Sequence, residues 1–249
     1  MQAVSLSYFR FDGAAARAWA FSQMPLARRP LRALPAIGFI KQFGTGTREG
    51  FHPVPNLGVY AIMAAWPSLD HARAQVNDSS VFQRYRDHAS ENFNVYIRAI
   101  SARGEWDATQ PFAVENASET PLPMAVLTRA TVKPRHVIPF WTRTPNIEAD
   151  VRDQTHLLFK CGMGEVPWFQ QVTFSIWDDV AAMKAFAFAK TGFHSQAVKN
   201  VRENGWFKEE LYARFRVLAH DGTWEARDPL ARTRAAPSAT RDMAPVSAL

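Results

Sequence analysis

The stretch that decides the fold of this chain is residues 171–224, QVTFSIWDDVAAMKAFAFAKTGFHSQAVKNVRENGWFKEELYARFRVLAHDGTW. In its first seven residues, apolar and polar side chains alternate with the period of two that a half-buried strand requires. Two aspartates follow and provide the N-cap of a helix, which a Thr-Gly pair ends. A second helix beginning at His194 and a closing strand complete the segment.

The second helix carries a histidine on its apolar side. His194, Ala197, Val198 and Val201 fall at i, i+3, i+4 and i+7, so they share one helical face, and charged residues occupy the opposite face. An inward-facing histidine at the head of an apolar stripe is therefore a candidate for chemistry.

Composition limits the class of protein. The chain has 249 residues, of which 47% are apolar and 12% aromatic, enough for a substantial core. The single cysteine, Cys161, excludes an intramolecular disulfide and is typical of a reducing compartment. The N-terminus lacks the pattern of a secretory signal, and no apolar run is long enough to span a bilayer. We expect a cytoplasmic protein, at most peripheral on the inner membrane.

The charge balance is basic, with a formal net charge of +6. Such a balance is compatible with an anionic partner but identifies none. The sequence has no zinc-ligand spacing, no RNA-binding aromatic signature and no dense Lys/Arg block, so we expect no nucleic-acid binding.

The first half of the chain alternates strand and helix patterns. Strands are predicted at Val4–Phe11, Gly38–Phe43, Val59–Trp66 and Phe93–Ile100, and helices at Ser68–Val76 and Val81–Ala89. Between the first two strands, residues 14–34 contain helix formers and a basic cluster interrupted by prolines, which break helices.

The second half repeats this order. Residues 60–66 align with 171–177, residues 43–46 with 161–164, and the strand that ends at Trp106 with the strand that ends at Trp224. Chance similarity of two amphipathic halves is the alternative. Two similar units in tandem usually pack on each other, because neither buries its sheet face alone.

Each unit predicts a β-α-β-β-α-β order, which is ferredoxin-like. The fold prediction is therefore α+β, with two tandem ferredoxin-like repeats packed as a barrel-like pseudo-dimer. Residues 1–106 form the first repeat, 107–123 a polar and Pro-rich linker, 124–225 the second repeat, and 226–249 a disordered tail rich in Ala, Arg, Pro and Ser.

In the alignment of the two repeats, Gln83 of the first unit matches His194 of the second. A glutamine amide is a poor iron ligand, whereas a neutral imidazole binds iron, so any such site occurs once, in the second half. A core histidine satisfied by backbone groups is the alternative. A helix-borne histidine facing an aromatic-rich sheet also holds a haem iron from one side. Neighbours that would suit the macrocycle, or simply form core, are Trp141, Phe186, Phe193 and Trp206.

Other candidates give weaker signals. His52 and His71 are expected to be solvated, and Cys161 to be a small buried apolar residue rather than a thiolate ligand. His88 and His156 lie outside the repeated landmarks. The two short Gly-x-Gly segments lack the residues of a phosphate-binding loop.

Several segments together resemble the spheroidene monooxygenase family, acyclic-carotenoid oxygenases of purple phototrophic bacteria. The resemblance covers roughly residues 4–225, and the segments that carry it are FGTGTREGFHPVPNLGVYAIMAAW, LTRATVKP, FKCGMGEVP, QVTFSIWDDVAAM and GWFKEELYARFRVLAHDGTW.

The resemblance implies a haem-containing oxygenase that uses O₂ and reduced ferredoxin. It implies oxygenation at C2 of an acyclic carotenoid, first to a hydroxy compound and then to a 2-keto compound such as spheroidenone. The family's histidine segment matches Phe193-His194-Ser195, and we assign His194 as the axial ligand by inference from its position on the predicted helix.

A lipid-dissolved substrate would require contact with a membrane. Candidates for that surface are the apolar and basic residues Phe21, Met24, Leu26, Leu31, Leu34, Arg28, Arg29 and Arg32, with a solvated charged loop as the alternative. Two other functions stay open: a cofactor-free or haem-degrading monooxygenase of the same barrel type, and a non-catalytic haem- or lipid-binding module.

Overall fold

The computed structural model describes residues 1–48, 50, 52–116, 123–142, 154–187 and 205–234. Its strands are β1 Ala3–Arg10, β2 Phe39–Gly46, β3 Pro55–Trp66, β4 Glu91–Gly104, β5 Met124–Val132, β6 Leu157–Gly164, β7 Gln170–Trp177 and β8 Phe207–Gly222. Its helices are α1 Ala14–Leu26, α2 Arg28–Arg32, α3 Leu69–Asp78, α4 Ser80–His88, α5 137–142, α6 Val180–Ala187 and α7 Ala231–Arg234. The predicted strands and the two predicted helices of the first half are all present.

The eight strands form one closed antiparallel barrel in the order β1-β3-β2-β6-β7-β5-β8-β4. The first four strands follow the spatial order 4-1-3-2, and the last four follow the matching order 8-5-7-6. The α+β class is therefore confirmed, and the two halves close a single barrel rather than two separate sheets.

The two seams between the halves differ in length. Strands β4 and β8 pair from Phe93–Gly222 to Gly104–Leu211, along almost the whole of β4. Strands β2 and β6 pair only at Gly44–Gly164 and Thr45–Met163. The halves are therefore joined by a long seam between β4 and β8 and by a short, glycine-rich seam between β2 and β6.

The interior of the barrel is filled with side chains. Strand β1 shows why: its residues alternate, so that Val4, Leu6 and Tyr8 point inward while Phe9 lies under the helices of the first half. Inside, the Tyr8 ring packs edge-on against Phe159, with ring centroids 4.9 Å apart. A bound ligand would therefore lie on the outer side of the sheet.

A tryptophan closes each end of the barrel. Trp106 and Trp224 each follow a glycine with positive φ and form an isolated bridge to the residue three positions later. The two residues after each tryptophan also have positive φ, between 53° and 58°. The structure thus places the two tryptophan landmarks of the sequence in equivalent turns.

Helix boundaries follow the local signals. Helix α1 ends one residue after Pro25, and α2 restarts at Arg28 for five residues only. Helix α6 begins after Asp179, whose carboxylate accepts a hydrogen bond from the Ala182 amide at 2.6 Å, as the N-cap prediction required. No helix in the described ranges is long and apolar enough to span a bilayer.

Packing extends into the predicted linker and into the predicted disordered tail. In the predicted linker, Phe112 is buried, and the Gln2 side chain bonds both Pro111 and Ala113. Beyond Ala226, where the tail was predicted to begin, Leu230 is fully buried. The ordered part therefore continues at least to Arg234, and residues 235–249 lie outside the described residues.

Candidate functional site

The outer side of the second half of the barrel carries an unusual set of small side chains. Strands β5 and β7 pair Val126 with Ser175 and Thr128 with Thr173, and Ala130 completes the β5 row. These five residues are named here the second-sheet face. All five are half-buried, and none is larger than valine.

The same positions in the first half are occupied differently. The register of β1 with β3 makes Phe9 the counterpart of Ala130, and Ile62 the counterpart of Thr173. Phe9 and Ile62 are buried under helices α1 to α4 in one apolar cluster. The counterparts of Val126, Thr128 and Ser175 are Ser5, Ser7 and Ala64, which are also small. The two faces therefore differ in side-chain volume at two of the five positions, where Phe9 and Ile62 stand in place of Ala130 and Thr173.

Two threonine hydroxyls meet at the centre of the face. Those of Thr128 and Thr173 hydrogen-bond to each other across the β5–β7 pair. This bond uses one of the two O–H groups, so one O–H remains there as a donor.

Phe186 lies at one end of this face. Its ring packs on Trp177 with centroids 5.6 Å apart, and both join Met124 in a small apolar cluster with Met183. Trp177 pairs with Met124 at the start of β5. Phe186 therefore borders the face at the N-terminal end of β5.

Trp206 and Trp141 lie at the other end. The Trp206 carbonyl accepts a hydrogen bond from Lys133 just after β5, and its ring stacks on His136 with centroids 5.3 Å apart. Trp141 on α5 donates its indole N–H to the carbonyl of Trp168 in the β6–β7 loop, at 3.1 Å.

The predicted site residues thus divide into two groups. Trp141, Phe186 and Trp206 flank the second-sheet face from opposite ends. His194 and Phe193 lie outside the described residues, so the predicted iron ligand stays a prediction. The sequence analysis did not identify the second-sheet face itself, because its alternating Thr and Ser residues are also typical of a solvent-facing strand side.

A loop from the first half reaches the edge of this face. The backbone of Gly50, with φ +91°, touches Gly162 of β6 so closely that a Cβ at Gly50 would lie 1.8 Å from the Gly162 carbonyl oxygen. Gly162 pairs with Thr173. The β2–β3 loop therefore packs beside the floor, and only glycine at both positions permits this approach.

The remaining histidines have local partners. His71 lies 3.1 Å from the Pro35 carbonyl, His88 stacks on Trp19 and His156 bonds Asp178. His52 bonds Thr47 within the β2–β3 loop. Cys161 is buried in the barrel interior, as predicted. Across the described ranges, no three His, Cys, Asp or Glu side chains come together as a metal site would require.

Charge is concentrated at the two barrel ends. At the Trp106 end, the buried Arg129 pairs with Glu209, and Lys41 bonds Glu165 at 2.6 Å. Burial raises the pKa of Glu209, but hydrogen bonds from the Ala108 and Asp107 amides and the charge of Arg129 outweigh it, so the pKa is lowered.

The Trp224 end has the matching carboxylate, Glu91. It accepts hydrogen bonds from the amides of Glu225 and Ala226 and from the Thr223 hydroxyl. Burial raises its pKa, whereas these bonds and Arg10 lower it, and the net pKa is lowered. Each half therefore fixes the turn of the other half, which helps to hold the barrel closed.

Comparison with known proteins identifies relatives over nearly the whole chain. The sequence is 48% identical to spheroidene monooxygenase of Rhodobacter capsulatus over 233 residues, covering 93% of this chain and 96% of that protein. It is 43% identical to spheroidene monooxygenase of Cereibacter sphaeroides, covering 100% of this chain and 77% of that protein. No protein-family model matches the sequence.

Solved structures add a likeness of fold. An aldoxime dehydratase crystallised with butyraldoxime superposes with a TM-score of 0.58 at 10% sequence identity, covering 87% of this chain and 80% of that one. This likeness concerns the fold alone. The identity and coverage of the sequence relatives decide the family, and the chain belongs to the spheroidene monooxygenases.

Proposed function

We propose that this chain is a haem-dependent monooxygenase of carotenoid biosynthesis. It inserts oxygen at C2 of an acyclic carotenoid, giving a hydroxy compound and then a 2-keto compound, with O₂ and reduced ferredoxin. The names of the relatives support an oxygenase acting on a carotenoid. The electron donor and the position of attack follow from the family resemblance.

One observation carries the assignment of the site, namely the contrast between the two outer faces. Where the first half places Phe9 and Ile62, the second places Ala130 and Thr173. Space on a sheet face between flanking aromatic residues fits a flat macrocycle held from one side by His194. When bound, the haem would supply the activation of O₂.

The residues of this chain then have distinct tasks in the proposal. His194 binds the iron, and Phe193, Phe186, Trp141 and Trp206 surround the macrocycle. The hydroxyls of Thr128 and Thr173 bond each other and leave one O–H donor at the centre of the floor. The apolar surroundings exclude water, which strengthens electrostatic interactions near the reacting atoms.

We also propose that the barrel consists of two ferredoxin-like units, residues 1–106 and 124–225. Three features support this division. The halves share one strand order, their equivalent residues pair in the same register, and each ends in the same tryptophan turn. The segment 107–123 joins the units, and its first ten residues pack on the barrel.

An absorption spectrum of protein purified from haem-sufficient cells tests the cofactor. We expect an intense Soret band that His194→Ala removes or shifts, while His71→Ala, a helix-borne histidine of the first half, leaves it unchanged. Wild-type protein without a Soret band and without iron would overturn the haem assignment.

Turnover then tests the substrate. We expect O₂-dependent conversion of spheroidene when reduced ferredoxin is supplied, with the haem retained. Destruction of the haem during turnover would instead favour the haem-degrading alternative. Binding without O₂ consumption would favour a carrier module.

A further inference from the structure

Exposed apolar residues gather in one region of the surface. Nine large apolar side chains are exposed in the described ranges, and six of them belong to this region: Phe21, Leu26, Val54, Leu57, Val166 and Trp168. These six are named here the apolar rim. Phe21, Leu57 and Trp168 line a common groove, and the other three lie within two positions of residues that line it. Exposed apolar surface concentrated in this way marks an interaction site.

The groove lies over the short seam of the barrel. Its floor includes Gly44, Thr45, Met163 and Gly164, which are the four residues that pair β2 with β6. Because two of these are glycines, the floor is open, and the cavity volume is about 210 Å³. Enclosed small-molecule sites hold roughly 300–1,000 Å³, so the groove fits one segment of an apolar chain lying along it rather than a whole ligand.

The groove also leads to the proposed reaction site. Gln171 lines the groove and pairs with Ala130 of the second-sheet face. Trp141 lines it as well and borders that face. An apolar chain lying in the groove would therefore have one end at the second-sheet face and the other between the residues of the apolar rim.

Trp168 is held at the rim in a strained conformation. Its φ of 68° is rare for a bulky residue, and such strain persists only where the surroundings impose it. Its indole N–H donates to the Pro53 carbonyl at 3.0 Å, and its own carbonyl accepts from Trp141. These bonds satisfy both indole N–H groups and leave the half-exposed Trp168 ring available for apolar contact.

Basic residues stand beside the rim. Arg28, Arg29 and Arg32 on the short helix α2 are exposed and follow Leu26 directly. In the described ranges, no carboxylate forms an ion pair with any of the three. Glu165, the acidic residue of the groove, is already bonded to Lys41 and to the Trp106 indole.

Apolar residues bordered by arginines fit an anionic bilayer surface. A second copy of this chain fits less well, because a two-fold interface would bring the arginine clusters of both copies towards each other without carboxylates between them. We propose that the apolar rim inserts into the surface of an anionic phospholipid bilayer, and that the groove takes up an apolar chain from that bilayer.

Co-sedimentation with vesicles tests the docking. Full-length protein should sediment with vesicles of equal parts phosphatidylcholine and phosphatidylglycerol, and only weakly with phosphatidylcholine alone. Phe21→Ser combined with Leu57→Ser should weaken binding about tenfold or more, because less apolar area is buried. Val114→Ser, which changes an exposed apolar residue outside the rim, should have no effect.

The arginines give an independent test. Replacing Arg28, Arg29 and Arg32 together by serine should weaken binding to the anionic vesicles roughly a hundredfold at low salt. Wild-type protein that stays in the supernatant of all vesicles would overturn the proposal. So would a wild-type dimer that dissociates on Phe21→Ser, because the rim would then be an interface between copies.

Extraction tests the groove. A Cβ at Gly44 would meet no heavy atom within 4 Å, so Gly44→Phe fills the groove without a backbone clash. Incubated with spheroidene-loaded vesicles without O₂ or reductant, the wild type should retain the polyene after the vesicles are removed. Gly44→Phe should retain about tenfold less, while Gly38→Phe, outside the groove, retains as much as the wild type.

A wild type that retains no polyene, or a Gly44→Phe variant that retains as much, would overturn uptake through the groove. The inference rests on the proposed function only for the identity of the apolar chain. Vesicle binding and extraction require neither haem nor turnover. A protein that docks and extracts but does not oxygenate would therefore refute the proposed function and leave this inference intact.

Discussion

Phe9 and Ala130 occupy equivalent positions on the outer faces of the two halves of one barrel, yet they have opposite surroundings. Phe9 is fully buried, with its ring 5.1 Å from that of Tyr85 on α4. Ala130 is half-buried on a floor of small side chains. The backbone pairing is the same, so the difference lies in the side chains at these positions and in the helices that cover Phe9.

This contrast separates stability from function. A sheet face filled by large apolar residues contributes to folding in proportion to the area it buries. A face with small side chains in those positions buries less apolar area, contributes less to folding and has room for a ligand. In this chain, both halves fill the barrel interior, the outer face of the first half adds a second apolar core, and the second half carries the candidate site.

The largest expected effect follows from truncating the filled face. Phe9→Ala should lower the free energy of unfolding by about 3–5 kcal/mol, the cost of a cavity in a packed core. Thr173→Ala on the second-sheet face should cost about 1 kcal/mol. Urea denaturation measures both. Equal losses from the two variants would contradict the contrast between the faces.

The sequence contained enough information for the barrel strands but not for this contrast. Alternation identified β7, since period two is a local property. The value of Ala130 as a site residue depends on its register against Gln171 and on its counterpart Phe9 in the first half. Those are long-range relations that no local pattern encodes.

The same limit explains two other differences. Leu230 lies in a segment rich in Arg, Ala and Pro with few large apolar residues, so composition predicted disorder although its side chain is buried. The groove depends on Gly44 and Gly164, which pair on the neighbouring strands β2 and β6 although they lie 120 residues apart in the sequence. A short Gly-x-Gly segment gives no sign of the strand it will pair with.

The reciprocal substitution fills the open face. Ala130→Phe places the side chain of Phe9 on the second half, and we expect turnover and haem content to fall roughly a hundredfold, equivalent to about 2.7 kcal/mol. The free energy of unfolding should stay the same or rise, because apolar area is buried. Ala130→Ser, a small-for-small control, should keep haem. Full haem content in Ala130→Phe would place the cofactor elsewhere.

Substitutions of Glu209 and Glu91 test a feature that the two halves share, namely a carboxylate bonded to a tryptophan turn. Each carboxylate accepts hydrogen bonds from the tryptophan turn of the other half, and Glu209 also pairs with the buried Arg129. Replacement by glutamine should therefore cost more at Glu209, about 2 kcal/mol, than at Glu91, about 1 kcal/mol. Thermal unfolding at neutral pH measures the difference.

The pH dependence of both variants follows from the lowered pKa values of the two carboxyls. The stability that these groups contribute is fully present above the pKa of an unfolded glutamate, about 4.3. It is lost as the pH falls through the lower folded pKa. Either glutamine variant should lose less stability than the wild type on acidification from pH 5 to about pH 3. An unchanged acid profile would show that the turns are held by other contacts.

The smallest effect concerns a bond that the second half cannot make. The Gln42 amide donates to the Tyr85 hydroxyl at 3.1 Å. Pairing with β3 and β7 makes Gly162 the counterpart of Gln42, which corrects by two residues the predicted alignment of residues 43–46 with 161–164. Tyr85→Phe should cost about 0.5–1 kcal/mol, because the Gln42 amide keeps its second bond, to the Gln23 carbonyl.

Alkaline titration sharpens this last comparison. Burial raises the pKa of Tyr85 to about 12, and the bond from Gln42 opposes that shift only in part. Unfolded tyrosine ionises near pH 10, so the stability that Tyr85 contributes as a neutral phenol is lost between about pH 10 and 12. Tyr85→Phe should flatten that part of the alkaline unfolding curve. An unchanged curve would mean that other buried tyrosines, such as Tyr8 and Tyr96, dominate the alkaline loss of stability. The helix-covered face of the first half would then be stabilised by apolar packing and not by the bond between Gln42 and Tyr85.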